Sequence, residues 1–186
     1  MRLIDTHSHL FLEEFSEDLP QVIERARSAG VTHIFMPNID STTIDSMLSV
    51  CNTYNDYCFP MIGLHPTSVN ADYEKELEIV ARELRSFNKY IAIGEVGMDL
   101  YWDKTFLKEQ QIVLDKQINW ALEYDLPVVI HCRDAFGYIY NVLEPYKNTS
   151  LKGVFHSFTG TDDEAARILE FSGFLIGING VVTFKK

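Results

Sequence analysis

Seven short apolar runs alternate with six longer stretches of helical periodicity along the whole chain. This alternation confines the fold to a parallel sheet whose strands are joined by helical crossovers. The predicted strands cover residues 2–6, 32–38, 59–64, 91–96, 128–131, 153–156 and 174–178. The predicted helices cover 19–29, 42–54, 71–87, 104–124, 135–146 and 162–172. Gly30 follows the first helix where a left-handed C′ residue is favoured, and Thr161-Asp162-Asp163 opens the last helix with good capping chemistry. A glycine-rich GxGxxG turn after the first strand, the mark of a dinucleotide-binding doubly wound sheet, is absent from the sequence. The expected fold is therefore an α/β, TIM-type (β/α) barrel. Without a low-complexity or linker segment, residues 1–186 are expected to form one domain.

The second constraint lies in where the histidines fall. His7 and His9 close the first run, His65 follows the third, His131 closes the fifth and His156 the sixth, while Glu95 ends the fourth. In parallel sheets the reactive groups collect at the carboxyl ends of the strands. Five imidazoles and a carboxylate brought to that end form a candidate metal site. Alternate residues of a strand share a face, so His7 and His9 should point together, with Asp5 on the same side. A histidine pair on a strand is weak evidence alone, because such residues are often ordinary structural groups. Glu95 stands between glycines on a buried strand, where an ionised carboxylate needs a cation or a donor. Its two oxygens suit a bridge between two ions at about 3.5–4 Å. Mixed nitrogen and oxygen donors fit zinc, magnesium, manganese or nickel.

Other groups flank this set. Arg133, two residues after His131, is a candidate to grip a phosphate or carboxylate, or else to pair with an acid such as Asp99. His65 is a candidate to orient substrate or donate a proton, with a structural turn role as the alternative. Tyr101 and Trp102 are placed to line the mouth and stack a base, or simply to pack a loop. His33, early in the second strand, reads as structural.

Composition narrows the function classes. The net charge of −11 excludes broad electrostatic binding along a nucleic-acid backbone, although metal ions would still admit a phosphate-bearing substrate. The sequence has no apolar stretch of about 18 residues and no signal-like start, so no membrane association is expected. Cys51, Cys58 and Cys132 lack zinc-site spacing and read as reduced thiols of a cytoplasmic protein.

Five motifs stand in order: Asp5-Thr6-His7-Ser8-His9, Gly63-Leu64-His65-Pro66, Gly94-Glu95-Val96-Gly97-Met98-Asp99, His131-Cys132-Arg133-Asp134-Ala135 and His156-Ser157-Phe158-Thr159-Gly160. Together they closely resemble the TatD family of metal-dependent hydrolases, within the amidohydrolase-like barrels. Gly180-Val181-Val182-Thr183-Phe184-Lys185 resembles that family's seventh-strand segment. The resemblance implies a two-metal phosphodiesterase acting on DNA, a deoxyribonuclease and in expectation an exonuclease. Carried over, His7, His9 and Glu95 hold one ion and Glu95, His131 and His156 the other, with Glu95 the catalytic carboxylate and His65 and Arg133 on the substrate.

The family also places an aspartate at the end of an eighth strand, as the expected acceptor of the attacking water's proton. The sequence ends at Lys186, so the barrel is expected to be C-terminally incomplete, with about seven of eight strands and impaired catalysis. Two rival functions remain: an amidohydrolase-type enzyme cleaving an amide, lactone or aminoacyl ester, and a non-catalytic metal-binding fragment. Glu95, where many such barrels carry a carboxylated lysine, favours the phosphodiesterase branch.

Overall fold

The computed structural model describes residues 2–86 and 89–184. Strands β1 (Leu3–Asp5), β2 (Val31–Pro37) and β3 (Cys58–Met61) pair in parallel in that order. Strands β4 (Ile93–Asp99), β5 (Val128–Arg133), β6 (Gly153–Phe155) and β7 (Phe174–Ile176) form a second parallel set, again in chain order. The two sets meet where Ile62 bridges Ile93, supported by the Gly94 amide on the Ile62 carbonyl (2.8 Å). The result is an arc of seven parallel strands, as an incomplete barrel requires. Its curvature is visible at the mouth: His7, just beyond β1, stacks on His156, just beyond β6, with ring centroids 3.8 Å apart.

Helices α1 (Leu19–Ser28), α2 (Ile44–Thr53), α3 (Tyr73–Ser86), α4 (Leu107–Glu123), α5 (Phe136–Leu143) and α6 (Asp162–Ile168) are the crossovers. Local chemistry explains their limits. Pro20 stands in the first turn of α1, where its missing N–H costs nothing, and Gly30 follows with φ 91°. Thr161 and Glu164 form a reciprocal capping box on α6. Pro145 has no N–H for helix α5, which ends at Leu143 and tightens into a 3-10 turn over Glu144–Tyr146. Along α4, Val113, Leu114, Gln117, Ile118 and Ala121 are buried on one face, against β4.

The predicted elements all occur, with three shifts. The predicted strand over 59–64 pairs regularly only to Met61, leaving Leu64 and His65 in the connection. The predicted strand over 91–96 instead runs to Asp99 and is buried throughout. Gly180–Thr183, part of the segment resembling a seventh strand, is a 3-10 turn after β7. Phe87, expected to end the third helix, and Lys185 lie outside the described residues. Ile4 on β1 and Leu175 on β7, the two outer strands, expose large apolar side chains. Among the described residues no helix is long and apolar enough to cross a membrane.

Candidate metal centre

Glu95 is only 2% exposed, and its two oxygens divide the surrounding imidazoles between them. Oε2 meets His7 Nε2 at 3.0 Å and His9 Nε2 at 3.4 Å. Oε1 meets His156 Nε2 at 2.7 Å, His131 Nδ1 at 2.9 Å and His65 Nε2 at 3.6 Å. All five histidines thus reach one carboxylate. Two donor sets are close enough to hold an ion each: His7, His9 and Glu95, and His65, Glu95 and His131. The second includes His65, expected on the substrate, while His156 approaches the same Oε1 from beside His7.

The sequence placed His7 and His9 on the first strand, but regular pairing of β1 stops at Asp5. The Ser8 amide still bonds the Phe35 carbonyl (3.1 Å), so the chain continues beside β2 and carries both imidazoles inward. The His7 amide donates to Asp5 Oδ1 at 3.1 Å, which fixes the turn. Glu95, expected to end its strand, is its third residue; β4 continues past it to Asp99. Gly97 makes that possible. Its φ is +139°, and a Cβ there would lie 2.0 Å from the His131 carbonyl oxygen.

Asp99 has a partner that the sequence did not name: it stands beside Arg133 in the β4–β5 register, but its carboxylate is directed at His131. It is buried, and its Oδ2 lies 2.9 Å from His131 Nε2, whereas the sequence offered it as a partner for Arg133. His131 is therefore gripped at both nitrogens. With Nε2 donating to the Asp99 carboxylate, the Nδ1 lone pair faces Glu95 Oε1 at 2.9 Å. Two lone pairs at that distance require a positive charge between them. Burial lowers the His131 pKa, but the Glu95 and Asp99 carboxylates outweigh burial and raise it. Burial likewise works to raise the Glu95 pKa, yet hydrogen bonds from His131, His156, His65 and His7 hold it well below the usual carboxylate range. Burial dominates at His7 and lowers its pKa. His7 Nδ1 and His9 Nδ1 are buried with no hydrogen-bond partner among the described residues. Densely packed imidazoles around a buried carboxylate are the donor set a divalent cation takes.

Three buried amides that the sequence did not flag hold the strand ends in place. Gln117 on α4 accepts from the Leu64 amide (2.7 Å) and donates to the Leu64 carbonyl (3.2 Å), next to His65. Two turns earlier, Gln110 does the same for Asp99, at 2.9 and 3.2 Å. The Asn38 side chain, after β2, donates to the Gly63 carbonyl (2.9 Å), while the Asn38 backbone carbonyl accepts from the Glu95 amide (3.2 Å). The available signal was Gln110 and Gln117 seven apart on an apolar helix face, where an amide must have partners.

Arg133 is exposed and lies over Tyr101, its guanidinium carbon 3.8 Å from the ring centroid. The His33 ring meets its neighbour Thr32 through Nδ1 and packs on Phe59. A cavity of about 710 Å³ opens beside His156, walled by Cys132, Phe136, Phe158 and Arg167, within the ~300–1,000 Å³ range of ligand sites.

A parallel β/α arc carrying histidines and a shared carboxylate at the strand ends is the arrangement of a metal-dependent hydrolase. The chain belongs to the TatD related DNase family, whose profile matches residues 4–186. It is 36% identical over 183 residues to the uncharacterized metal-dependent hydrolase YabD of Bacillus subtilis, covering 98% of this chain and 71% of that protein. It is 31% identical over 180 residues to the 3'-5' ssDNA/RNA exonuclease TatD of Pantoea ananatis, covering 97% and 68%. The crystal structure of YjjV, a TatD homolog from Escherichia coli, superimposes with a TM-score of 0.89 at 33% identity, covering 98% of this chain and 70% of that one.

Proposed function

We propose that this metal-dependent hydrolase cleaves phosphodiester bonds of DNA, as a deoxyribonuclease working from a strand end, with two divalent ions. The observation that carries the reading is the division of the imidazoles between the two Glu95 oxygens, with His7 and His9 on one and His131 and His156 on the other. The exonuclease name of the Pantoea relative supports the substrate class.

In this reading His7, His9 and Glu95 hold one ion and Glu95, His131 and His156 the other. Ions so held supply Lewis-acid polarisation of the phosphoryl oxygens and lower the pKa of water. Asp99 fixes the His131 tautomer so that Nδ1 is free to ligate. His65 plays a different part. The Thr67 amide donates to its Nδ1 (3.2 Å), which puts the ring proton on Nε2 and turns that nitrogen into a donor facing the centre. Arg133 supplies a second set of donors, for a non-bridging phosphate oxygen. Free Cys51, Cys58 and Cys132 fit the reducing cytoplasm.

The test is hydrolysis by the metal-reconstituted protein of single-stranded DNA, duplex DNA, RNA and an aminoacyl ester, with metal content measured in parallel. DNA should be the substrate turned over, and Glu95→Gln should lose ions and turnover together, because a neutral amide does not bridge two cations. Preferential cleavage of the aminoacyl ester, or two tightly bound ions in Glu95→Gln, would refute the reading.

A further inference from the structure

We infer that Tyr101, Trp102 and Arg133 form a platform on which an unpaired base of the substrate stacks while its phosphate enters the metal centre. The inference rests on the phosphodiesterase reading above and assigns it a specificity element.

Trp102 is 70% exposed and Tyr101 53%, two large rings in water side by side, edge to face at 4.8 Å. A single exposed aromatic needs no explanation, but three further features belong to this pair. First, the loop bearing the rings is tied to the centre. Asp99 Oδ1 accepts from the amides of Tyr101 (3.0 Å) and Trp102 (3.4 Å), while its Oδ2 bonds His131. One buried carboxylate therefore sets both a site imidazole and the position of the platform. Second, Arg133 lies over both rings, 3.8 Å from the Tyr101 centroid and 5.2 Å from that of Trp102. Its guanidinium is held by its face, which leaves the N–H edge available to a phosphate. Third, Trp102 lines a cavity of about 220 Å³, together with Pro66, Thr67, Asp99, Phe106 and Gln110. That is below the ~300–1,000 Å³ of sites for drug-sized ligands, and suits one ring with polar edges and not a whole nucleotide.

Charge supports the same assignment. With a net charge of −11 the chain cannot rely on general attraction to a polyanion. Stacking is indifferent to protein charge and to base identity, and weakens binding by roughly 5- to 150-fold per base when removed. It requires a base free of its duplex neighbours, so the platform selects single strands or frayed ends.

The chain has two tryptophans, and Trp120 is buried, so quenching of the exposed indole reports the platform directly. The probe is a single-stranded phosphorothioate octamer, which resists cleavage, added to the metal-loaded protein. We expect the octamer to quench Trp102, and an abasic octamer of equal charge not to. By anisotropy of a labelled octamer, Trp102→Ala should bind about tenfold more weakly or worse. Trp102→Phe, which keeps a ring, should recover most of the affinity, and the duplex should compete poorly. Equal binding by Trp102→Ala, equal quenching by the abasic strand, or equal competition by duplex would overturn the inference. Quenching together with preferential cleavage of the aminoacyl ester would leave the platform standing and remove the phosphodiesterase reading; DNA hydrolysis without quenching would do the reverse.

Discussion

Replacing Gln117 by leucine tests whether the two buried glutamines of α4 hold the strand ends. The substitution nearly conserves volume in a fully buried site, so a large cavity is not introduced. It does remove both hydrogen bonds to Leu64, at 2.7 and 3.2 Å, and leaves a buried amide and a buried carbonyl without partners. Each orphaned group costs about 1–3 kcal/mol, so the pair costs about 2–6 kcal/mol. Burying a leucine instead of an amide returns about 1–2 kcal/mol. The net loss spans about 0–5 kcal/mol and centres near ~2.5 kcal/mol, a large share of a typical ~5–15 kcal/mol total. In urea, with a slope of about 2 kcal/mol per molar, the midpoint should fall by about 1 M at that centre. Lys116→Gln, one residue away on the exposed face, should change stability by less than about 0.5 kcal/mol. A Gln117→Leu midpoint within 0.2 M or so of wild type, measured by circular dichroism with the slope unchanged, would refute the reasoning.

Gly97→Ala should be more severe, because its Cβ would lie 2.0 Å from the His131 carbonyl oxygen at a φ of +139°. A loss above about 3 kcal/mol, or no folded protein, is expected; near-normal urea stability would mean that β4 and β5 separate easily. Burial raises the Cys51 pKa to about 12 and that of Cys58 to about 11, so at pH 8.5 both should alkylate far more slowly than after unfolding, as mass spectrometry can follow. Unfolded thiols ionise near ~8.5, so between that pH and about 11–12 the unfolded chain holds fewer protons than the folded one. These two thiols therefore contribute a stability that is intact below pH ~8.5 and declines as pH rises through that window; rising stability there would contradict their burial.

How far the site could be read from the sequence differs residue by residue. His7, His9, His131 and His156 were recognisable because each ends or follows an apolar run, and parallel topology sends all such ends to one mouth. Glu95 was recognisable because a carboxylate between glycines on a buried strand needs a cation. Asp99 does stand beside Arg133 in register, but its bond to His131 was not legible, because it is settled by how far β4 continues, and that depends on Gly97 fitting against His131 on the next strand. Gln117 meets Leu64 across 53 residues and Asn38 meets Gly63 across 25, separations at which no local pattern names the partner.

The alternation of apolar runs with amphipathic helices is written locally, in hydrophobic period and turn residues, so the parallel β/α class and the end of the sheet where chemistry collects are legible in the chain before it folds. Distances between side chains are a property of packing. It takes the folded chain to divide five imidazoles between the two oxygens of Glu95, to have Asp99 grip His131 and the Tyr101–Trp102 loop together, and to lay Arg133 on those rings. These contacts follow from the curvature of the sheet and from buried amides that must find partners, and both are set by the fold as a whole.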